Sequence, residues 1–437
     1  MTLAGLMVQE EDVMPVGASA GQRRAPDTSR RAAGGRRGRL VGQQKQRSRR
    51  PDACDGQVQT RLPVEGVLKT MCASVGLPRV QEKGCKALFE LASNSEIQGK
   101  LGFLGGIEAV VRAMEAHGKV TELLVMGTSA LNRMCERHES NTQRLVSVGG
   151  IRVMAEAMKR HRLCQNLQEA GCRAMKNAAA CNAECQLKVS SIGGIEAVLA
   201  AMTAHTESAA VQEAGCQALK ELAVHNGHIQ DQIVSNGGIQ VVLRAMEMHG
   251  QLISIQVWGC GVLRNITACN ADHQEGVISR GGIQTVLDAM STHLESVDVQ
   301  WAGCWALFCI AVHNPVAAEE VVAYGTVQSA IRAMQHHRRE PRVQEAGCWV
   351  LKELAKHIAR DDVQLAAAVH AVTKAMEKNP SSVPVQTAVS GALRKFAVHD
   401  QKGWVKTMCL GRCGRFGASV TKQMLSSIKE GNSDEER

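Results

Sequence analysis

The chain has 437 residues, a formal net charge of +9 and 16 cysteines, but only five Trp, five Phe and one Tyr. So few aromatic residues argue against a β-sandwich and favour short helices that pack through small aliphatic side chains. So many cysteines suggest a disulfide framework only in a small secreted protein, and no apolar run approaches the roughly 20 residues of a membrane-spanning helix.

Residues 1–61 are predicted to be a disordered, basic segment. The first residues, MTLAGLMV, lack the basic region of a signal peptide, so we expect reduced thiols and a cytoplasmic protein, with the nucleus as an alternative. Residues 21–50 hold eleven Lys or Arg against the single acid Asp27, and the rest of the chain is nearly neutral. Such segments are typical of nuclear-import signals and nucleic-acid-binding arms. A solvated leader and an incorrect gene start are equal alternatives.

From about residue 62 the sequence repeats with a period of 44 residues. A Gly-Gly pair followed by Ile recurs five times, beginning at Gly105, Gly149, Gly193, Gly237 and Gly281. Two degenerate copies follow, beginning at Gly325 and Ala367. The motif VQEAGC and a column of methionines keep the same phase. Three markers in phase over eight units indicate a stacked repeat protein, because one unit alone could not bury its apolar surface.

Each unit is predicted to contain three helices, as residues 226–268 illustrate. Asn226 is placed to cap a short first helix, and Gly237-Gly238 ends it, since glycine tolerates the left-handed conformation of a helix C-terminus. Apolar residues at helical spacing predict a second helix that includes Met246 and a third helix of about fourteen residues from Ile255. The first unit, from about residue 64, lacks its first helix.

Three columns of the repeat favour structural roles. A glycine column in the third helix predicts close helix packing, because each such glycine costs about 1 kcal/mol relative to alanine. The cysteine that follows is replaced by Thr128 and Ser390 in two units, which favours a buried small side chain over a metal ligand. Histidines at the end of the second helix are expected to meet its terminal carbonyl groups. No catalytic motif, metal site or other cofactor site is predicted.

Three helices in 42–44 residues resemble the armadillo repeat, with HEAT repeats as the near neighbour. The resemblance covers about residues 62–416 and extends to the armadillo segments of the leucine-rich-repeat kinases. It implies an all-α, right-handed superhelical solenoid of about eight repeats. Residues 400–408 look like the first helix of a ninth unit, and residues 417–437 are predicted to form a capping helix and a polar tail.

In armadillo proteins the third helices line a concave groove, which holds extended peptides in importin-α-like and β-catenin-like members. Importin-α-like repeats carry a Trp and, one turn later, an Asn; no unit here has both, which argues against a nuclear-import receptor of that type. Aromatic anchors often dominate binding energy, so Trp301, Trp305 and Trp349 are expected to project into the groove with at least one face exposed. The alternative is that their rings cover the core.

The predicted partner-binding set consists of these tryptophans and five neighbours: Trp301, Trp305, Trp349, Arg264, Asn265, Phe308, Lys352 and Glu353. The sequence therefore predicts a non-catalytic scaffold or adaptor that binds a protein or peptide ligand, without a membrane or a small-molecule substrate. The alternative is an RNA-associated or nuclear protein in which only the Arg/Gly-rich N-terminal arm contacts nucleic acid.

Overall fold

The computed structural model describes residues 64–358 and 362–399, and this part of the chain is entirely helical between its turns, without strands. The predicted basic segment, the ninth first helix and the capping helix lie outside the described residues. So do the predicted domain boundaries at residues 61/62 and 416/417.

Equivalent helices of neighbouring units are in contact, so the units stack in series. The third helices form one layer, and in chain order they are α2 (Pro78–Leu91), α5 (Thr121–Cys135), α8 (Gln165–Ala179), α11 (Ala209–Leu222), α14 (Ile253–Thr267), α17 (Val297–Ala311), α20 (Pro341–Leu354) and α22 (Val383–His399). The second helices are α1 (Val64–Ala73), α4 (Gly106–Ala116), α7 (Gly150–Arg160), α10 (Gly194–Ala204), α13 (Gly238–Met248), α16 (Gly282–Thr292) and α19 (Thr326–His336). The first helices are α3 (Ser95–Phe103), α6 (Glu139–Ser147), α9 (Ala183–Ser191), α12 (Gly227–Ser235), α15 (Ala271–Ile278) and α18 (Pro315–Ala323).

Asparagine and glycine set the helix ends as predicted. Asn226 Oδ1 accepts a hydrogen bond from the backbone N–H of Ile229 at 3.2 Å, and the asparagines of three other units cap their helices in the same way. The first glycine of each pair holds a left-handed φ of 77–84°, and Gly325, which no second glycine follows, has a φ of 86°. The second glycine of a pair leaves no room for a side chain, since a Cβ at Gly238 would lie 2.6 Å from the carbonyl oxygen of Ile233.

The eighth unit departs from the predicted three-helix pattern. Ala367-Ala368 stands where other units have the glycine pair, and a single helix, α21 (Asp362–Lys378), runs through it. Alanine reaches the left-handed conformation only at a cost of about 1–2 kcal/mol, so the chain has no inexpensive way to end a helix there. The first and second helices that other units keep separate are therefore continuous at this point.

The glycine column of the third helices packs against the methionine column, which confirms the predicted close approach. A Cβ built at Gly215 would lie 2.4 Å from Cγ of Met202, and the nearest methionine atom is 2.2–2.8 Å away in all seven units with this glycine. The third helix of each of these units thus rests directly on the end of its own second helix.

A glutamine column, which the sequence reasoning missed, satisfies carbonyl groups at the end of each second helix. Gln212 Nε2 donates to the backbone oxygens of Met202 and His205 at 2.7 and 2.8 Å. Seven of the eight third helices carry this glutamine with the same pair of bonds, and the second unit has Leu124 instead. The Met202 carbonyl lies in the last turn, where helix carbonyls lack partners within the helix, and the His205 carbonyl also accepts the Ser208 backbone N–H. By joining the two, the glutamine fixes the turn between the second and third helices.

The histidine column forms bonds between units, which corrects the expectation that it meets the carbonyls of its own helix. His205 Nε2 lies 2.8 Å from the carbonyl oxygen of Arg162, in the equivalent loop of the preceding unit. The same contact recurs at 2.7–3.1 Å for the other five histidines of the column. His117 makes this contact although its unit has Leu124 in place of the glutamine, so the histidine bond between units does not depend on the glutamine.

The cysteine column is buried within the stack. Cys216 and Cys260 are fully buried, and burial raises the pKa of both thiols to about 12. The described cysteines are free thiols, and Thr128 occupies the equivalent position with no exposed surface. In the described part of the chain no group of three or more His, Cys, Asp or Glu is arranged to hold a metal ion.

No single described helix is long and apolar enough to cross a membrane. Together α9 and α10 reach the necessary length and composition, but they are bent by 68° at the break between them.

Candidate partner-binding surface

The outward face of the third-helix layer is built from side chains that neighbouring units contribute jointly. The ring centroids of Phe308 on α17 and Trp349 on α20 are 6.1 Å apart. One unit further, the side chain of Lys352 on α20 runs against Gly391 of α22. A residue on this face is therefore exposed or covered according to what the next unit places beside it.

The centre of this face is sealed by α17. Every residue of that helix from Val299 to Ala311 is buried, and Trp301 and Trp305 are only 6% and 3% exposed. The expectation that each tryptophan keeps an exposed face in the groove is wrong for these two residues. Phe308, also in the predicted set, is 4% exposed and meets the Trp305 ring edge-on at 5.5 Å.

The burial of Trp301 has a direct cause in its neighbours. The Arg342 guanidinium carbon lies 4.2 Å from the ring centroid, and that of Arg264 lies 5.7 Å from it. Both cations thus lie near the electron-rich face of the ring and help to shield it from solvent. The aromatic residues of α17 thus form a buried cluster, which side chains from the adjacent units help to cover.

Two polar members of the predicted set are engaged within the chain. Asn265 is buried, and its Nδ2 donates to the backbone oxygen of Lys220 at 3.0 Å, which joins two third helices. Glu353 Oε1 accepts a hydrogen bond from the backbone N–H of His313 at 3.4 Å. Asn265 is therefore a structural residue, whereas Glu353 stays half-buried at the surface.

The predicted residues that remain accessible are Trp349, Arg264, Lys352 and Glu353, all of them half-buried. Trp349 and Lys352 form the closest pair, with the lysine Nζ 4.0 Å from the ring centroid. Their role in binding a partner stays a prediction. Trp258, which was left out of the set, is also half-buried on this face, and Lys220 Nζ lies 6.0 Å from its ring.

Charge on α20 is held in a partly dehydrated environment. Burial lowers the pKa of Lys352, with Glu353 acting in the opposite direction and Lys395 and Arg394 adding to the fall. Burial also raises the pKa of Glu345, one turn before Trp349. The Trp349 indole N–H partly offsets that rise, although the pair does not meet the geometry of a hydrogen bond.

The indole nitrogens of Trp305 and Trp349 are buried donors without a hydrogen-bond partner. An unpaired buried donor costs about 1–3 kcal/mol. Two of them in equivalent positions of adjacent units mean that packing of the aromatic rings outweighs hydrogen bonding in this part of the face.

A separate cleft of about 520 Å³ lies between α1 and α4, away from the third-helix face. Leu68, Cys72 and Leu104 are among the residues that line it. Its charged lining residues are Glu108, Arg112, Glu115 and Arg144. Of these, Glu108 and Arg144 form an ion pair with each other.

Comparison with known proteins supports the fold. The SIL1/FES1/HPBP1 C-terminal domain matches residues 141–260, and the C-terminal domain of the protein zer-1 homolog-like family matches residues 243–379. Each match covers less than a third of the chain. No curated protein sequence matches significantly.

Solved structures of engineered proteins share the architecture. One engineered protein of the Northeast Structural Genomics Consortium is 18% identical with a TM-score of 0.56, over 84% of this chain and 98% of its own. A second is 20% identical with a TM-score of 0.51, over 56% and 96%. A designed armadillo repeat protein is 15% identical with a TM-score of 0.51, over 57% and 100%. The likeness is one of fold, and it confirms the all-α armadillo-like solenoid. The resemblance to leucine-rich-repeat kinases stays a prediction, because none of these matches is to one.

Proposed function

We propose that this chain is a non-catalytic scaffold or adaptor that binds a segment of a partner protein on the outward face of its third helices. Solenoids of this fold commonly bind proteins, and their stacked units provide an extended surface without a catalytic centre. The observation that carries the proposal is Trp349. Its ring is partly exposed beside Lys352, at the edge of an aromatic cluster that is otherwise sealed.

The buried cluster supports this role by holding Trp349 in one orientation. The Phe308 ring lies 6.1 Å from the Trp349 ring between centroids, and the Lys352 Nζ lies 4.0 Å from the Trp349 centroid. A ring that is fixed before binding loses little conformational entropy when a partner docks, so its contacts convert efficiently into affinity. Trp305 belongs to this supporting cluster, and its truncation would act by leaving a cavity rather than by removing a contact with the partner.

The test compares proteins captured by the wild-type chain, by Trp349→Ala and by a control, Tyr324→Ala. Tyr324 follows a first helix and is 44% exposed, so it offers an aromatic surface of similar size away from the third-helix face. We expect a specific partner to be lost with Trp349→Ala and kept with Tyr324→Ala. With that partner purified, Trp349→Ala should weaken binding by about thirtyfold, the effect of a 2 kcal/mol anchor. Equal capture by all three proteins would refute the proposal.

Salt dependence separates protein binding from the alternative in which the basic N-terminal arm contacts nucleic acid. Binding through phosphate contacts weakens steeply as the salt concentration rises, because counterions are released. Binding anchored by Trp349 should weaken much less steeply over the same range of salt concentration, because it involves few charged groups. The arm lies outside the described residues, so this second function has only the sequence to support it. A location in the cytoplasm, with the nucleus as an alternative, belongs to the same proposal.

A further inference from the structure

Two third helices carry the same sequence, Leu-Lys-Glu-Leu, at the same place, but their lysines differ. In α11, Lys220 Nζ lies 2.9 Å from Glu221 Oε1 and forms an ion pair. In α20, Glu353 instead accepts the backbone N–H of His313 from the preceding unit. Lys352 therefore forms no ion pair with any residue that the structure describes.

Lys352, which has no ion-pair partner among the described residues, is half-buried and keeps part of its surface accessible. Its Nζ lies 4.0 Å from the Trp349 ring centroid, which covers one face of it. On the other side is Gly391 of α22, where even a Cβ would lie only 3.4–3.7 Å from Cδ, Cε and Nζ of the lysine. Because glycine has no side chain, the lysine side chain can lie directly against α22 here, and the residue as a whole stays half-buried.

Further positive charge lies around this point. Lys395 and Arg394 both lower the pKa of Lys352, in addition to the larger effect of its burial, and Glu353 offsets only part of this. A partly dehydrated ammonium group beside two like charges is unfavourable unless an anion accompanies it. An incoming carboxylate would both neutralise the excess charge and accept a hydrogen bond from Lys352.

We infer that the bound partner segment presents an Asp or Glu side chain, whose carboxylate sits between the ammonium groups of Lys352 and Lys395 beside the Trp349 ring. This inference rests on the proposed function and names the chemistry of the segment. A single carboxylate suits the site better than a nucleic-acid backbone does. Glu345 and Glu353 flank the cations on the same helix and would repel a continuous row of phosphates.

The test uses the full chain and fluorescently labelled peptides of alternating Leu and Glu, Leu and Gln, or Leu and Lys. About nine residues suffice, since an extended chain rises roughly 3.3 Å per residue and adjacent helices lie about 10 Å apart. Fluorescence anisotropy is measured with the wild type, Lys352→Gln and the matched control Lys220→Gln. The Leu-Glu peptide should bind the wild type about tenfold more tightly than the Leu-Gln peptide does. Lys352→Gln should abolish that preference, and Lys220→Gln should keep it.

The outcomes separate this inference from the proposed function. If Trp349→Ala weakens all three peptides while Lys352→Gln leaves their order unchanged, the face binds peptides and the carboxylate site is refuted. If none of the peptides binds at about 1 mM, both proposals fall. If an oligothymidylate displaces the Leu-Glu peptide from the wild type and binds Lys352→Gln more weakly, the site is assigned to phosphate and the carboxylate is refuted.

Discussion

At the scale of single residues, the glutamine column is the clearest case of a side chain that determines a turn. Gln212 bridges the last carbonyls of α10, and the substitution Gln212→Leu would leave the buried Met202 carbonyl without that donor and remove one of two bonds to the His205 carbonyl. We expect the free energy of unfolding to fall by about 2 kcal/mol, as measured by urea denaturation. The control is Gln217→Leu in the same helix, which breaks only a part-buried bond to Glu213 and should change little. Equal effects would mean that the bridge is dispensable.

A second prediction at this scale concerns the glycine column. Its glycines lower helix propensity, but the packed methionines leave no room for a larger residue. Gly215→Ala gains about 1 kcal/mol of helix propensity, but its Cβ would overlap Cγ and Sδ of Met202. We expect a net loss of about 1–3 kcal/mol, the usual cost of overpacking. Gly227→Ala is the control, since nothing lies within 4 Å of a Cβ there. A neutral Gly215→Ala would show that the methionine can move away at no cost.

The same columns show which structural features could be predicted from the sequence and which could not. Repetition alone predicted the glycine packing, because a costly residue that recurs needs a compensating contact. Repetition also marked the glutamines, but their role depends on carbonyls seven and ten residues earlier, which become neighbours only once the turn is formed. The exposure of Trp301 was not predictable, since Arg264 and Arg342, which cover its ring, come from the units before and after it.

At the scale of helices, substitutions in α21 can test why the eighth unit lacks the break between first and second helix that the second to seventh units have. Ala367 is exposed inside a continuous helix, so Ala367→Gly should destabilise the chain by about 1 kcal/mol. If the helix broke there with Ala367 in the left-handed conformation, the same change would instead stabilise the chain by about 1–2 kcal/mol. The reciprocal change, Gly237→Ala, forces alanine into a φ of 80° and should cost about 1–2 kcal/mol. The sign of the Ala367→Gly effect in urea unfolding decides between the two conformations.

The helices themselves were largely predictable, and the binding face was not. Caps such as Asn226 and breaks such as Gly237 are local signals, so the element order and the length of the third helix follow from sequence. The binding face depends on contacts between units, and a common sequence gives two results: Lys220 is paired and Lys352 is not. The difference arises because His313 of the neighbouring unit draws Glu353 away, a contact between residues 40 positions apart.

At the scale of the whole molecule, each unit is held mainly by its neighbours, through the histidine bonds and the contacts between third helices. Among the described residues the first unit has one such neighbour, whereas the central units have two.

Cys85 and Cys260 probe this difference, because both thiols are fully buried and burial raises the pKa of each to about 12. Neither can react with a maleimide until its unit opens. We expect Cys85 to label about tenfold faster than Cys260 in native buffer, equivalent to ~1.4 kcal/mol less opening free energy. Exposed Cys269 should label at once and serves as the control, with mass spectrometry of the digested protein identifying each site. Identical rates for Cys85 and Cys260 would instead indicate that the stack opens as one cooperative unit.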